Sequence, residues 1–380
     1  MSTEAVVAAV RESAANREPL RISGRANWLS AGRPVQAKKP YSLRTDTGVV
    51  GYVPGDLTLT VRAGTTLAEI EKITREHDQW LPLDPFGSGD GTIGATIATA
   101  SSGPLTTAFG SPRDLLLGLE FVNGRGDVVR GGGKVVKNVA GFDLSRLLTG
   151  SWGTLGVITE VSLRLYARPK VDRTFAVTFD RDERANTAFL RAIAASPLAP
   201  FALELANGAA ARQLGLGEEP VCLIRFGGNS AVVDVQLKVL SQLARTEELD
   251  PAVWVTFREL DRDAESVIRI SNLPSRFLGT APSMLADSPP FLVMTISPRR
   301  GVMRLILPPG SATASLSGGP EGVTPLPVGG QDGETSLIFE KLPPDEWAFV
   351  SPSVVADPLS RGIKKAYDPH NILNPGILGD

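Results

Sequence analysis

Histidine is nearly missing from this sequence, with only His77 and His370 among 380 residues. A catalytic metal held by three imidazoles is therefore excluded. Cysteine is scarcer still: Cys222 stands alone, so no disulfide can close within the chain and no thiolate cluster can hold zinc or an iron–sulfur centre. A reducing, cytoplasmic compartment suits such a composition. Excess charge is also lacking, since 39 Lys and Arg face 41 Asp and Glu for a net charge of −2. A surface built for nucleic acid or anionic lipid is not expected. No apolar run reaches the length of a membrane span. The first twenty residues carry Glu4, Glu12 and Glu18 and lack the basic-then-apolar order of a secretory signal. Membrane attachment, if any, is expected to be peripheral, at an inner membrane and through a partner.

Glycine, by contrast, is plentiful, and the length of the chain predicts two or three domains with room for a large cofactor. The periodicity predicts a helix over Val6–Ala15, a strand over Leu20–Ser23 entering a tight turn at Gly24, and strands over Gly48–Val53 and Leu57–Arg62. Thr66 with Glu69 three residues on is a capping box ahead of an apolar stripe at Leu67, Ile70 and Ile73. From Leu81 to Pro169 small residues and glycine dominate, with strands expected over Leu115–Val122 and Val157–Leu165. Asn123-Gly124-Arg125-Gly126 between two apolar runs predicts a hairpin. Past Arg168-Pro169-Lys170 the pattern changes to strand, helix, strand: Thr174–Thr178, Asp182–Ala195, Phe201–Leu205, Val221–Phe226 and Ala231–Ala244. That order is one of a split βαβ sandwich. The passage Pro308–Gly333 is rich in Pro, Gly and Ser and predicts a loop. No internal repeat is visible. The domains expected are 1–170, 171–335 as an α+β cap, and 336–380 returning to the first.

The most informative run is Asp84-Pro85-Phe86-Gly87-Ser88-Gly89-Asp90-Gly91-Thr92-Ile93-Gly94-Ala95, with Ser101, Ser102 and Gly103 following. Glycine lets the main chain approach a ligand and aim successive N–H groups at it, so a diphosphate can be held without lysine. Gly89, Gly91 and Gly94 formally match the dinucleotide fingerprint G-x-G-x-x-G, but the two prolines just before it rule out the central strand that fingerprint requires. A structural glycine loop explains the run equally well. Gly131-Gly132-Gly133-Lys134 does not meet the spacing of a phosphate loop, which removes a nucleoside triphosphatase from consideration. Turn chemistry alone accounts for Gly153 and Gly156.

The order of motifs is more specific than any one of them. G-T-I-G-A-T-I-A-T, then F-G-S-P-R-D, V-V-K-N-V-A-G-F-D-L-S-R-L, G-S-W-G-T-L-G-V-I-T-E and finally D-P-H-N-I-L-N-P-G resemble the vanillyl-alcohol-oxidase family, whose FAD-binding domain is of the PCMH type. K-N-V-A-G-F-D-L-S-R-L is most similar to the FAD-binding E subunits of bacterial glycolate oxidases. The resemblance covers residues 20–170 and the last dozen or so, and the middle only in outline. It implies an α+β fold: a PCMH-type domain of two α+β subdomains and a smaller ferredoxin-like cap.

The resemblance also implies noncovalent FAD with its diphosphate between two bends. The first supplies Ser23, Gly24, Arg25, Ala26 and Asn27. The second supplies Pro85, Gly89, Gly91, Thr92, Ile93, Gly94 and Ala95. Gly103, Gly110 and Ser111 would line the cofactor, Gly156, Val157 and Ile158 would flank it, and Asn374 would return to the flavin edge. Lys137 and Asp143 stand beside the site in the family pattern, and an internal salt bridge explains them equally well. Several positions depart from that pattern. Arg25-Ala26-Asn27 follow Gly24 where relatives have further glycines, Trp152 stands where many have an acid, Asn371 replaces a common glycine, and Ile377 replaces a basic residue.

Taking a proton from a 2-hydroxy acid requires a base, which catalytic D-type relatives find in a histidine cluster. Here His77 fits a helix C-terminus, His370 fits a turn, and Arg258, Arg262, Arg269 and Arg276 fit a solvated helical face; no catalytic residue is assigned. The expected role is an FAD-binding subunit of a glycolate or other 2-hydroxy acid oxidase complex, beside a D-type flavoprotein and an iron–sulfur subunit. A free-standing FAD-dependent oxidoreductase and a noncatalytic assembly subunit are the alternatives.

Overall fold

The computed structural model describes residues 2–133, 143–180, 182–310, 335–350 and 357–379. The run from Lys134 to Phe142, with Lys137, and most of the Pro308–Gly333 passage lie outside the described residues. The chain forms two compact units, one of Met1–Gly103, Phe109–Arg168 and Pro344–Asp380, the other of Pro104–Ala108 and Pro169–Pro343.

The first unit contains β1 (Leu20–Ser23), β2 (Lys39–Ser42), β3 (Val49–Val53), β4 (Thr58–Arg62), β5 (Gln79–Trp80), β6 (Leu116–Val122), β7 (Val128–Gly132), β8 (Val157–Arg164) and β9 (Tyr166–Ala167). Five of them make an antiparallel sheet in the order β3-β4-β8-β6-β7. Along β8, Val157, Thr159, Val161 and Leu163 are buried, and their period of two is what a sheet with one face on the core demands. Helix Thr3–Asn16 buries Val6 and Val10, and helix Leu67–Arg75 starts at the expected capping box, Thr66 Oγ1 accepting from Glu69 N while Glu69 accepts from Thr66 N. Asn123 works in the β6–β7 hairpin through its side chain, which accepts from Arg125 N and Asp127 N at 2.9 and 3.0 Å. Of the four turn residues Gly126 alone takes a positive φ, 78°. Ile372 and Leu373, both fully buried, belong to the same core as Leu59, Phe121 and Leu163. Burial of each holds the C-terminal segment by about 2 kcal/mol.

The second unit contains β10 (Val171–Thr178), β11 (Ala202–Ala206), β12 (Val221–Gly228), β13 (Glu247–Leu249), β14 (Ser266–Ser271), β15 (Val293–Ser297), β16 (Val302–Leu307) and β17 (Ser336–Lys341). They form one antiparallel sheet in the order β13-β10-β12-β11-β15-β16-β14-β17. Numbered within each half, the order is 4-1-3-2 followed by 2-3-1-4, so one split βαβ topology occurs twice and the halves join edge to edge through β11 and β15. Helix Glu183–Ala195 links the first two strands of one half and helix Pro274–Ala286 those of the other. The sequence hides this repeat because the topology asks only for apolar strands in a given order, which unrelated side chains satisfy. Residues 336–341, grouped by the sequence with the C-terminal return, are an edge strand here, paired with β14.

Candidate functional site

The first bend leaves β1, whose two edges are both occupied. On one side β1 runs parallel to β2. On the other, Leu20 N donates to Ile372 O at 2.7 Å and Asn374 N to Leu20 O at 3.1 Å, so the C-terminal segment completes the ladder. Past Ser23 the chain turns at Gly24, whose carbonyl accepts from Ser42 Oγ at 2.7 Å. A Cβ on Gly24 would lie 2.2 Å from Thr92 Oγ1. No side chain can stand there, and the two bends expected to share a ligand are in contact. Ala26 takes a left-handed φ of 64°, unusual without glycine or asparagine. Arg25, Ala26 and Asn27 are exposed, and among the described residues neither Arg25 nor Asn27 makes a hydrogen bond or ion pair.

The second bend is more committed to the protein than its sequence implies. Gly91 N donates to Ser88 O at 3.2 Å, Ile93 N to Thr65 O and Gly94 N to Ala63 O, both at 2.9 Å, and Ala95 N to Thr92 Oγ1 at 3.4 Å. Gly89 O and Gly91 O accept from Ala68 N and Leu67 N, each at 3.0 Å. In the nest expected over Gly89–Ala95, Gly89, Asp90 and Thr92 keep main-chain N–H groups that donate to no described residue, and those of Gly91, Ile93, Gly94 and Ala95 are engaged inside the fold. Gly94 is glycine because Ala63 leaves no space, its Cβ falling 2.7 Å from that methyl group.

The remaining expected residues divide in the same way. A Cβ on Gly103 would meet Asp84 O at 1.8 Å and one on Gly156 would meet the Phe121 ring at 2.4 Å, so both are packing glycines. Pro85 is buried in an irregular run that forms no strand. Gly110, at a φ of 87°, leads into Ser111, whose N and Oγ donate to Asp114 Oδ2 at 2.8 and 2.7 Å. That bonding to Ser111 holds the Asp114 carboxyl below the usual carboxylate range. Val157 and Ile158 face Val122 and Phe121 across the β8–β6 ladder with their side chains buried. Asp143 caps helix Leu144–Leu148 by accepting from Arg146 N at 3.0 Å and pairs with the Arg146 guanidinium; the salt bridge expected with Lys137 lies outside the described residues.

Asn374, 4% exposed, spends its whole amide on main chain. Oδ1 accepts from Ile22 N at 2.7 Å and Nδ2 donates to Trp152 O at 2.8 Å. Trp152 takes a left-handed φ of 54°, and its ring stacks on Trp28 at 5.8 Å. Sequence reasoning noted Trp152 only as a departure and passed over Trp28, although an aromatic directly after the first bend was the available signal. Asn371, where a glycine is common, is left-handed at φ 49°. His77 and His370 are both exposed, and no group of three or more His, Cys, Asp or Glu among the described residues is arranged to hold a metal. Arg269 lies on β14 and pairs with Glu340, and Arg262 pairs with Glu259, so neither is a free cation on a helical face. Cys222 is fully buried in β12, where burial and then the Glu204 charge push its thiol up.

Two bends thus meet where a Cβ cannot stand, with open main-chain donors at Gly89, Asp90 and Thr92 and an exposed guanidinium at Arg25. Such a cradle suits a diphosphate. Residues 1–132 match the FAD binding domain family. Those residues carry an FAD-binding domain. Over 169 residues it is 39% identical to the glycolate oxidase subunit GlcE of Escherichia coli (strain K12), a match spanning 44% of this chain and 48% of that one. The chain thus spans about half the length of that relative. It is 28% identical to a D-2-hydroxyglutarate dehydrogenase of Xanthomonas citri pv. viticola across 99% of this chain and 87% of the relative. The fold is similar to that of p-cresol methylhydroxylase with substrate bound, at a TM-score of 0.70 and 15% identity over 100% of this chain and 87% of that one. Among the described residues no helix is long and apolar enough to cross a membrane.

Proposed function

We propose that this chain is the FAD-binding subunit of a complex that oxidises glycolate or a related 2-hydroxy acid, in which it relays electrons or scaffolds a catalytic D-type flavoprotein while an iron–sulfur subunit carries electrons onward. The similarity to a glycolate oxidase subunit carries this reading. The scarcity of histidine supports it: both histidines are exposed, and the described residues hold no cluster of ligands and no evident group to take the hydroxyl proton. FAD, when bound, supplies a hydride or electron acceptor. Ser23–Asn27, Gly89 and Asp90 would face its diphosphate, with Arg25 adding a charge-assisted bond. Thr92 would add its open main-chain N–H, and Ile93, Gly94 and Ala95 set the shape of the cradle from behind. Attachment is noncovalent, because the first bend has no histidine and Cys222 is buried. With its partners the chain would work in the cytoplasm or at the inner face of the membrane.

A second reading, a single-chain dehydrogenase of a 2-hydroxy acid, draws support from the alignment with D-2-hydroxyglutarate dehydrogenase along nearly the whole chain. Flavin-loaded protein mixed anaerobically with glycolate or D-lactate separates the two. Bleaching only after a D-type flavoprotein is added is the expected result. Bleaching by substrate alone would move the assignment to the second reading, and a chain that cannot be loaded with flavin would leave a noncatalytic assembly subunit.

A further inference from the structure

Asn374 joins segments that are remote in sequence around the first bend. Its Oδ1 holds Ile22 N, two residues before Gly24, and its Nδ2 holds Trp152 O. Trp152 N in turn donates to Ala98 O at 2.8 Å, in the helix Ile93–Thr99 that the second bend leads into, and the Trp152 ring lies on Trp28, just past the first bend. Gly24 against Thr92 closes the circuit. Four strained or crowded positions serve this arrangement: Asn374 itself at φ 44°, Trp152, Gly153 at φ 73° with its missing Cβ only 2.9 Å from Asn374 Nδ2, and Gly32, which leaves room for the Trp152 ring. A latch sits behind them. The buried Asp368 carboxylate accepts from Ile372 N, Leu373 N and Lys364 Nζ, and the same ammonium donates to Thr154 O.

From this geometry we infer that Asn374 is a positioning residue for the cofactor and that docking of the C-terminal segment and binding of FAD are coupled. Both polar ends of the amide are spent on main chain, so the residue acts through the bend it holds rather than by touching the flavin. A segment that sets the bend must, by reciprocity, be held more tightly once the bend is occupied. The inference rests on the FAD reading and adds to it that the last residues of the chain report occupancy of a site some 350 positions earlier (|i−j| = 352 between Asn374 and Ile22).

The test uses the full chain stripped of flavin. FAD is titrated by flavin fluorescence, and hydrogen exchange is followed over peptides 18–30 and 370–379 with and without FAD. In the wild type FAD should slow exchange in both peptides. Asn374→Ala should raise the FAD dissociation constant about tenfold or more, the loss expected for two buried hydrogen bonds, and should speed exchange over 18–30 without FAD. Strand β12, in the other unit, should be unchanged. Asn374→Asp keeps the acceptor for Ile22 N–H but sets a carboxylate oxygen against Trp152 O, so it should weaken FAD at least as much as alanine does. Gly153→Ala, pressing on Nδ2 without altering Asn374, should weaken FAD in the same direction. FAD affinity within about twofold of wild type in Asn374→Ala, or protection of 18–30 with none over 370–379, overturns the coupling and leaves the flavoprotein reading standing. A wild type that takes no FAD overturns both.

Discussion

The two units share tight packing at glycine and differ in what is built around it. In the first, the glycines around the cradle are pressed by small side chains, a ring or a carbonyl: Gly24 on Thr92, Gly94 on Ala63, Gly103 on Asp84 O and Gly156 on Phe121 leave no volume for a methyl group. In the second, Gly227 on the Phe201 ring and Gly301 on Asn272 O are packed as tightly, Gly279 in helix Pro274–Ala286 has nothing within 4 Å, and a buried charge network is added. Arg304, 3% exposed, donates to Asp261 Oδ2 at 2.7 Å and to Glu340 Oε2 at 2.8 Å, and those acids hold its guanidinium up against the pull of burial. A cradle for a ligand is shaped by what is left out of the chain. A repeated sheet is fixed by charges that must find each other.

If that contrast is right, the largest effect comes from adding atoms to the first unit. Gly103→Val should cost about 5 kcal/mol, enough to unfold the unit and abolish flavin uptake, read by thermal melting and bound FAD. Next comes removal of charge in the second: Arg304→Met strands two acids and should cost about 3–4 kcal/mol. Hydrogen exchange should then rise in β14, β16 and β17 and stay unchanged in β4, β6 and β8. Loss of protection in both sheets alike would break the comparison. Gly279→Ala, the counterpart of a glycine change in the first unit, should raise stability by about 0.5–1 kcal/mol, since it adds helix propensity in open space.

The smallest effect is a pH dependence. Burial pushes the Glu120 carboxyl up, but hydrogen bonds from Thr159, Thr3 and Arg130 outweigh it and leave it below the usual carboxylate range. A group whose folded value is depressed stabilises above its unfolded value, 4.5, and that contribution is lost as pH falls through the folded value. Glu120→Gln should therefore flatten the fall in melting temperature below about pH 4.5, and an unchanged slope would assign the acid sensitivity elsewhere.

Much of the fold was legible where one physical rule acts alone. Strand Leu20–Ser23, the capping box at Thr66 and Glu69, and helix Glu183–Ala195 with Asp182 as its cap follow from local pattern. Lys39–Ser42 escaped because Pro40 reads as a strand breaker, and only parallel pairing with β1 makes a strand of it. Helix Ile93–Thr99 was hidden in a glycine-rich run whose composition reads as loop. At the site, the order of motifs located both bends, but which N–H groups stay open depends on Ala63, Thr65 and Ser88, partners that no spacing rule names. Asn374 was picked out by its motif, but its partners, main chain at Ile22 and Trp152, are set by the fold and by no spacing rule.

The grip of the two bends on a diphosphate is tested most directly by competing flavins of different length on the apoprotein. Isothermal titration with FAD and with riboflavin, which shares the ring system but has no diphosphate, compares the two affinities. Binding of FAD in a one-to-one complex at least about a hundredfold tighter than riboflavin is the predicted result. Equal affinities would mean that the bends do not hold the diphosphate.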